Sequence, residues 1–166
     1  MNDTGRILII DDEASLRQTL ARILQRAGFE VTTAANGTDG LQLVNTHPFD
    51  LIYLDIRMPD MNGLDVLKAI HTDLPDIPVI LFTAQPDLHS AVEALRRGAK
   101  DYLLKPLKPQ TVIDRTKDVL ESQKKMQRKQ ELQRQMDVLR AEINMLENEG
   151  LAKDMAASRK TIVLDD

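Results

Sequence analysis

The stretch Leu51-Ile52-Tyr53-Leu54-Asp55-Ile56-Arg57-Met58-Pro59-Asp60 decides how this chain is read. Its first four residues suit a β-strand covered on both faces, where side chains read as a continuous apolar run. Such a run ends on an acid only where the acid faces something outside the sheet, because a carboxylate left in apolar surroundings is costly. Asp55 therefore marks both the end of a strand and the edge of a site.

Working outward, four more short β-rich runs lie at 6–10, 29–33, 79–82 and 102–104, with the opening run at 51–54. The runs at 6–10 and 79–82 are also continuously apolar, whereas 29–33 alternates and suits a sheet edge. Helical stripes separate them. Leu16, Leu20, Ile23, Leu24 and Ala27 recur at helical spacing and stop at Gly28. Leu41 and Val44 follow Asn36-Gly37, and Leu64, Leu67 and Ile70 follow Gly63. Leu88, Ala91, Val92 and Leu95 repeat the stripe up to Gly98, and Val112, Thr116, Val119 and Leu120 form the fifth. Strands alternating with helices predict right-handed crossovers and an α/β fold. The expected architecture is a doubly wound, flavodoxin-like (βα)5 parallel sheet in the order 2-1-3-4-5. Ligands bind such sheets at the carboxyl ends of the strands, beside the point where the strand order reverses.

The residues at those ends form a set. Strand 1 runs into Asp11-Asp12-Glu13, strand 3 into Asp55, strand 4 into Thr83 and strand 5 into Lys105-Pro106. Singly, each has a plainer reading: an acid after a strand is usually a turn or cap residue, and the acids at 11–13 complement the dipole of a helix starting at Ser15. Together they fit one crevice. Clustered carboxylates repel one another and stay ionised together only beside a cation. An all-oxygen donor set without His or Cys favours Mg²⁺. A lysine and a threonine there suit phosphoryl oxygens, and a carboxylate is a competent nucleophile for an aspartyl-phosphate.

Composition narrows the function classes. The 166 residues carry a net charge of −4 and 42% hydrophobic content, giving no electrostatic case for wrapping nucleic acid or an acidic membrane. Cysteine is absent, which removes disulfides and thiolate metal sites. The N-terminal Ile7–Ile10 run is too short for a signal peptide or membrane span, so a cytoplasmic protein is expected.

The motifs ILIIDDE, DLIYLDIRMPDMNGLDVLKAI, PVILFTA and GAKDYLLKPL together resemble the receiver domain of two-component response regulators, over roughly residues 4–121. The resemblance implies that Asp55 is the phosphoacceptor, that Asp11, Asp12, Asp55 and the backbone carbonyl of Arg57 bind Mg²⁺, and that Thr83 and Lys105 contact the phosphoryl group. It implies a switch at Thr83 and Tyr102, a cis Lys105–Pro106 bond, and a sensor histidine kinase as partner. Gly63, in the loop after the phosphoacceptor, is expected to supply a positive φ. The protein is then a signalling phosphoacceptor and not an enzyme, with at most self-phosphorylation from small donors and slow autodephosphorylation. One departure is that Arg96-Arg97 and Lys100-Asp101 flank Gly98-Ala99, so the charged dimer face of the winged-helix subgroup does not carry over. The rival enzyme is a Mg²⁺-dependent phosphohydrolase with an aspartyl nucleophile. Such an enzyme wants a second acid two residues on, where this chain has Arg57. A flavin-binding module is weaker, since Asp11-Asp12-Glu13 replaces a neutral phosphate loop.

Beyond residue 121 the character changes. Residues 1–121 are read as the receiver, 122–150 as a helical coiled-coil extension, and 151–166 as a tail. Leu132, Met136, Leu139, Ile143 and Leu146 alternate spacings of four and three, a short heptad seam. A homodimeric coiled coil relaying the receiver's state to a downstream effector is expected, with fold-back onto the receiver as the alternative. Gly150 is expected to end the helix, and the β-prone run at 161–166 to be either a frayed end or the start of a further domain. Lys124, Lys125, Arg128, Lys129 and Arg134 are interrupted by Glu131 and read as a solvated face more than a nucleic-acid contact.

Overall fold

A computed structural model describes residues 4–163, with backbone alone for 161–163. Five parallel strands alternate with helices: β1 (Arg6–Ile10), β2 (Glu30–Ala34), β3 (Leu51–Asp55), β4 (Val79–Thr83) and β5 (Asp101–Leu104). Their order is β2-β1-β3-β4-β5, with the alternating strand at one edge. Between them run α1 (Ala14–Arg26), α2 (Gly37–Thr46), α3 (Gly63–Asp73) and α4 (Leu88–Arg96), and α5 (Pro109–Val163) follows β5.

The three central strands are continuously apolar because both their faces are covered. On one face Leu8, Ile10, Ile52, Leu54 and Leu81 meet Val44 of α2, Val66, Leu67 and Ile70 of α3, and Ala94 of α4. On the other, Ile7, Ile9, Tyr53 and Phe82 meet Leu20 and Leu24 of α1 and Val112 of α5. Each such aliphatic side chain contributes about 1.5–3 kcal/mol on leaving water. Gly28 and Gly98 end α1 and α4 at φ of +97° and +90°, where a side chain would be strained.

Two expectations need correction. The apolar stripe of α4 does not face the core: Leu88 is 80% and Leu95 60% exposed, and the buried position is Ala94. This short helix packs through small residues and leaves its large ones in solvent. Gly150 does not end the helix, which continues through Val163. A single glycine costs about 1 kcal/mol in a helix interior, and neighbouring helix formers carry the backbone through. The backbone of 161–163 is helical, and 164–166 lie outside the described residues.

The chain divides into two compact units, residues 1–123 and 124–166. Within the first, Gln123 is buried and its side-chain amide donates to the Asp76 carbonyl at 2.7 Å. Within the second, the helix carries Leu132, Met136, Leu139, Ile143 and Leu146 between 47% and 67% exposed. Among the described residues no helix is long and apolar enough to cross a membrane.

Candidate functional site

The strand ends converge. Asp11 follows β1, Asp55 ends β3, and a carboxylate oxygen from each lies with one from Asp12 in a group spanning at most 4.8 Å. Asp11 and Asp55 are buried, while Asp12 is open to solvent. This is the crevice beside β1 and β3, where the chain reverses its direction of travel across the sheet.

Backbone contacts fix Asp11. The Asp11 amide donates to Ala34 O, and its Oδ1 accepts from Glu13 N at 3.0 Å. Arg17, one turn into α1, donates to the Asp11 carbonyl at 2.7 Å. Lys105 enters from the end of β5, and its Nζ stands 3.4 Å from Asp11 Oδ2 and 3.5 Å from Asp55 Oδ2. The same ammonium lies 4.9 Å from the centre of the Phe82 ring. The Lys105–Pro106 peptide is cis.

Electrostatics single out Asp55. Burial pushes its carboxyl up to about 7; Lys105 pulls it down, and Asp11 pushes it further up. A single ammonium cannot neutralise three carboxylates, so a negative excess remains in the crevice. Two buried oxygens, one solvent-facing oxygen and no nitrogen or sulfur ligand suit a hard divalent cation that keeps some of its water.

Thr83 is buried at the end of β4, but its hydroxyl engages the Gln85 backbone, accepting from Gln85 N at 3.2 Å. The Tyr102 hydroxyl on β5 is buried and, among the described residues, is the one buried side-chain polar atom without a hydrogen-bond partner. Burial also pushes this phenol up, with Asp87 and Arg57 as its charged neighbours. The Arg57 side chain pairs with Asp87 at 3.8 Å. Gly63 is not at positive φ. Its need for glycine is close approach: a Cβ there would lie 2.6 Å from Ile56 Cα, against the backbone carrying Asp55.

Several residues escape sequence reasoning. Asp60 accepts from the Gly37 and Thr38 amides, so the loop after Asp55 caps α2. Asp87 caps α4 through Ser90. The hydroxyl of Tyr53 reaches Thr116 on α5 at 2.7 Å. The one signal in the sequence for the last pair was a polar threonine within the apolar stripe of the fifth helix.

With this geometry in view, comparison with known proteins places the chain. A family model described as the response regulator receiver domain matches residues 7–117. This chain belongs to that family. It carries a receiver domain of the two-component signalling type. Its relatives include the transcriptional regulatory protein ZraR of Klebsiella oxytoca, 46% identical over 101 residues, covering 61% of this chain and 23% of that protein. The DNA-binding response regulator MtrA of Mycolicibacterium paratuberculosis is 38% identical over 112 residues, covering 68% and 49%. Among solved structures, a CheY-like receiver domain protein of Methanospirillum hungatei superposes with a TM-score of 0.73 at 33% identity, covering 75% of this chain and 99% of that one. NtrX of Brucella abortus gives 0.74 at 32% identity, covering 78% and 29%. The chain thus spans at most about half the length of these curated relatives.

Proposed function

We propose that this receiver accepts a phosphoryl group on Asp55 from a sensor histidine kinase, and that α5 carries the resulting state to a downstream effector. The observation that supports it most is the grouping of Asp11, Asp12 and Asp55 within 4.8 Å, with Lys105 Nζ beside two of them.

An Asp55 oxygen attacks phosphorus, the P–N bond of the phosphohistidine breaks, and the imidazole leaves with that electron pair. Lys105 is placed to meet charge on the transferred group, and its distances to Asp11 and Asp55 allow it to serve both states. The Thr83 hydroxyl exchanges its Gln85 backbone contact for a phosphoryl oxygen, and Tyr102 responds on β5. Asp11, Asp12, Asp55 and the carbonyl of Arg57 would hold Mg²⁺, which supplies charge neutralisation for phosphoryl transfer when bound. The exposed seam at Leu132, Met136, Leu139, Ile143 and Leu146 supports a homodimer through the extension. A cytoplasmic setting is part of this reading.

Incubating the chain with acetyl phosphate, with and without Mg²⁺, tests this. Stoichiometric label that requires Mg²⁺ and disappears in Asp55→Asn is expected. Rapid multiple turnover of phosphoesters in place of a stable label would support a phosphohydrolase and overturn the reading.

A further inference from the structure

Tyr53 lies two residues before Asp55 on the same strand, fully buried, with its ring on the face that packs against α1 and α5. Its hydroxyl lies 2.7 Å from Thr116 Oγ1 and donates toward the Val112 carbonyl at 3.3 Å. Thr116 is itself fully buried, and its hydroxyl donates to Val112 O at 2.7 Å. This is a closed polar triangle inside an otherwise apolar layer. Burial pushes the phenol up to about 12, so it stays a neutral donor. Such a buried bond is position-specific in a way that apolar packing is not, because a lost partner leaves an unsatisfied group.

The triangle connects back to the site. The Tyr53 ring meets Phe82 edge-on, centroids 6.3 Å apart. Phe82 is the register partner of Asp55 across β3 and β4. Over Phe82 sits the Lys105 ammonium, which also contacts Asp55. The charge on Asp55 thus bears on Lys105, Lys105 on the Phe82 face, and Phe82 on the ring whose hydroxyl holds α5.

We propose that the Tyr53–Thr116 bond is a mechanical tie through which the state of Asp55 sets the position of α5, along the sheet face opposite α2, α3 and α4. It rests on the phosphoacceptor reading of Asp55 and adds a route separate from Thr83 and Tyr102. Lys105 drawn toward a phosphoryl group leaves the Phe82 ring, the aromatic pair resettles, and the tyrosine hydroxyl carries the shift to the Val112–Thr116 turn. Contiguous packing alone does not establish coupling, so the test must read coupling itself.

The experiment is hydrogen–deuterium exchange of amides 112–123 in the full chain, with and without acetyl phosphate and Mg²⁺, with label on Asp55 counted in parallel. Wild type is expected to change its exchange in this segment on labelling. Tyr53→Phe keeps the ring, and Thr116 keeps its bond to Val112. The variant is expected to label normally while the exchange change shrinks by about threefold or more. Thr116→Val should behave like Tyr53→Phe, and Thr116→Ser, which keeps a hydroxyl, should behave like wild type. A fully labelled Tyr53→Phe chain with an undiminished response overturns the tie, as do Val and Ser variants that respond alike. Failure of wild type to label overturns the phosphoacceptor reading itself, which the label count reports separately.

Discussion

At the scale of residues, Asp55 holds its charge against its surroundings. Its folded-state pKa of about 7 lies above the ordinary value of 3.8. For a raised carboxyl, the neutral form favours folding: that stability is fully present below the unfolded pKa and is lost as pH rises through about 7. Asp55→Asn removes this loss, so the variant should unfold at higher urea than wild type at pH 8, by an amount on the order of 2–4 kcal/mol. The two should converge near pH 4. Mg²⁺ should raise wild-type stability at pH 8 and do far less for Asp55→Asn; equal effects would remove Asp55 from the metal site. Gly63 makes a second case. Its missing Cβ would strike the backbone of Asp55 and Ile56, which cannot yield as a side-chain tip can. Gly63→Ala should cost about 1–3 kcal/mol by urea titration and slow labelling of Asp55. The acids at 11, 12 and 55 were legible in sequence because each terminates an apolar run. The Tyr53 hydroxyl was not, since its partner lies 63 positions away. The positive φ at Gly63 was an expectation from the resemblance, and the sequence does not show what a side chain there would meet.

At the scale of elements, caps imported from elsewhere in the chain matter most. The start of α2 is held by its own Asn36, which accepts from Asp39 N, and by Asp60 from the loop after Asp55. Hydrogen bonds from Thr38 and Gly37 lower the Asp60 carboxyl, so its contribution is present above the unfolded pKa and fades as pH falls through the lower folded value. Asp60→Ala should therefore cost about 1 kcal/mol at neutral pH and much less at strongly acid pH, measured by paired urea titrations. Strands were legible from periodicity, with ends within a residue, and the helices between them by their stripes. The exposed stripe of α4 was not, because spacing tells that one face is apolar and not whether anything covers it. The same blindness placed a helix end at Gly150, where φ is ordinary and a Cβ would meet nothing within 4 Å. Gly150→Ala should accordingly raise helicity by circular dichroism, with a gain of about 1 kcal/mol; a loss would mean that the glycine is needed for something other than helix.

At the scale of the whole molecule, the extension's seam poses the remaining energetic problem. Apolar residues at 132, 136, 139, 143 and 146 stay about half exposed, which association would relieve. With Leu132, Leu139 and Leu146 at d and Met136 and Ile143 at a, a parallel pair sets Glu142 at g against Glu147 at e of the second copy. These like charges oppose association, so raising salt from about 50 to about 500 mM should tighten the dimer in sedimentation equilibrium, where most surface electrostatics would be indifferent. Glu147→Lys converts both symmetry-related contacts to attraction and should tighten it at low salt by about twofold to fivefold, given the small worth of exposed pairs. Ile143→Lys puts charge into the seam and should return the chain to monomer. A Glu147→Lys dimer no tighter than wild type would exclude the parallel register, and a wild-type chain that stays monomeric at high micromolar concentration would exclude the coiled coil, leaving the receiver's output to surfaces within residues 1–123.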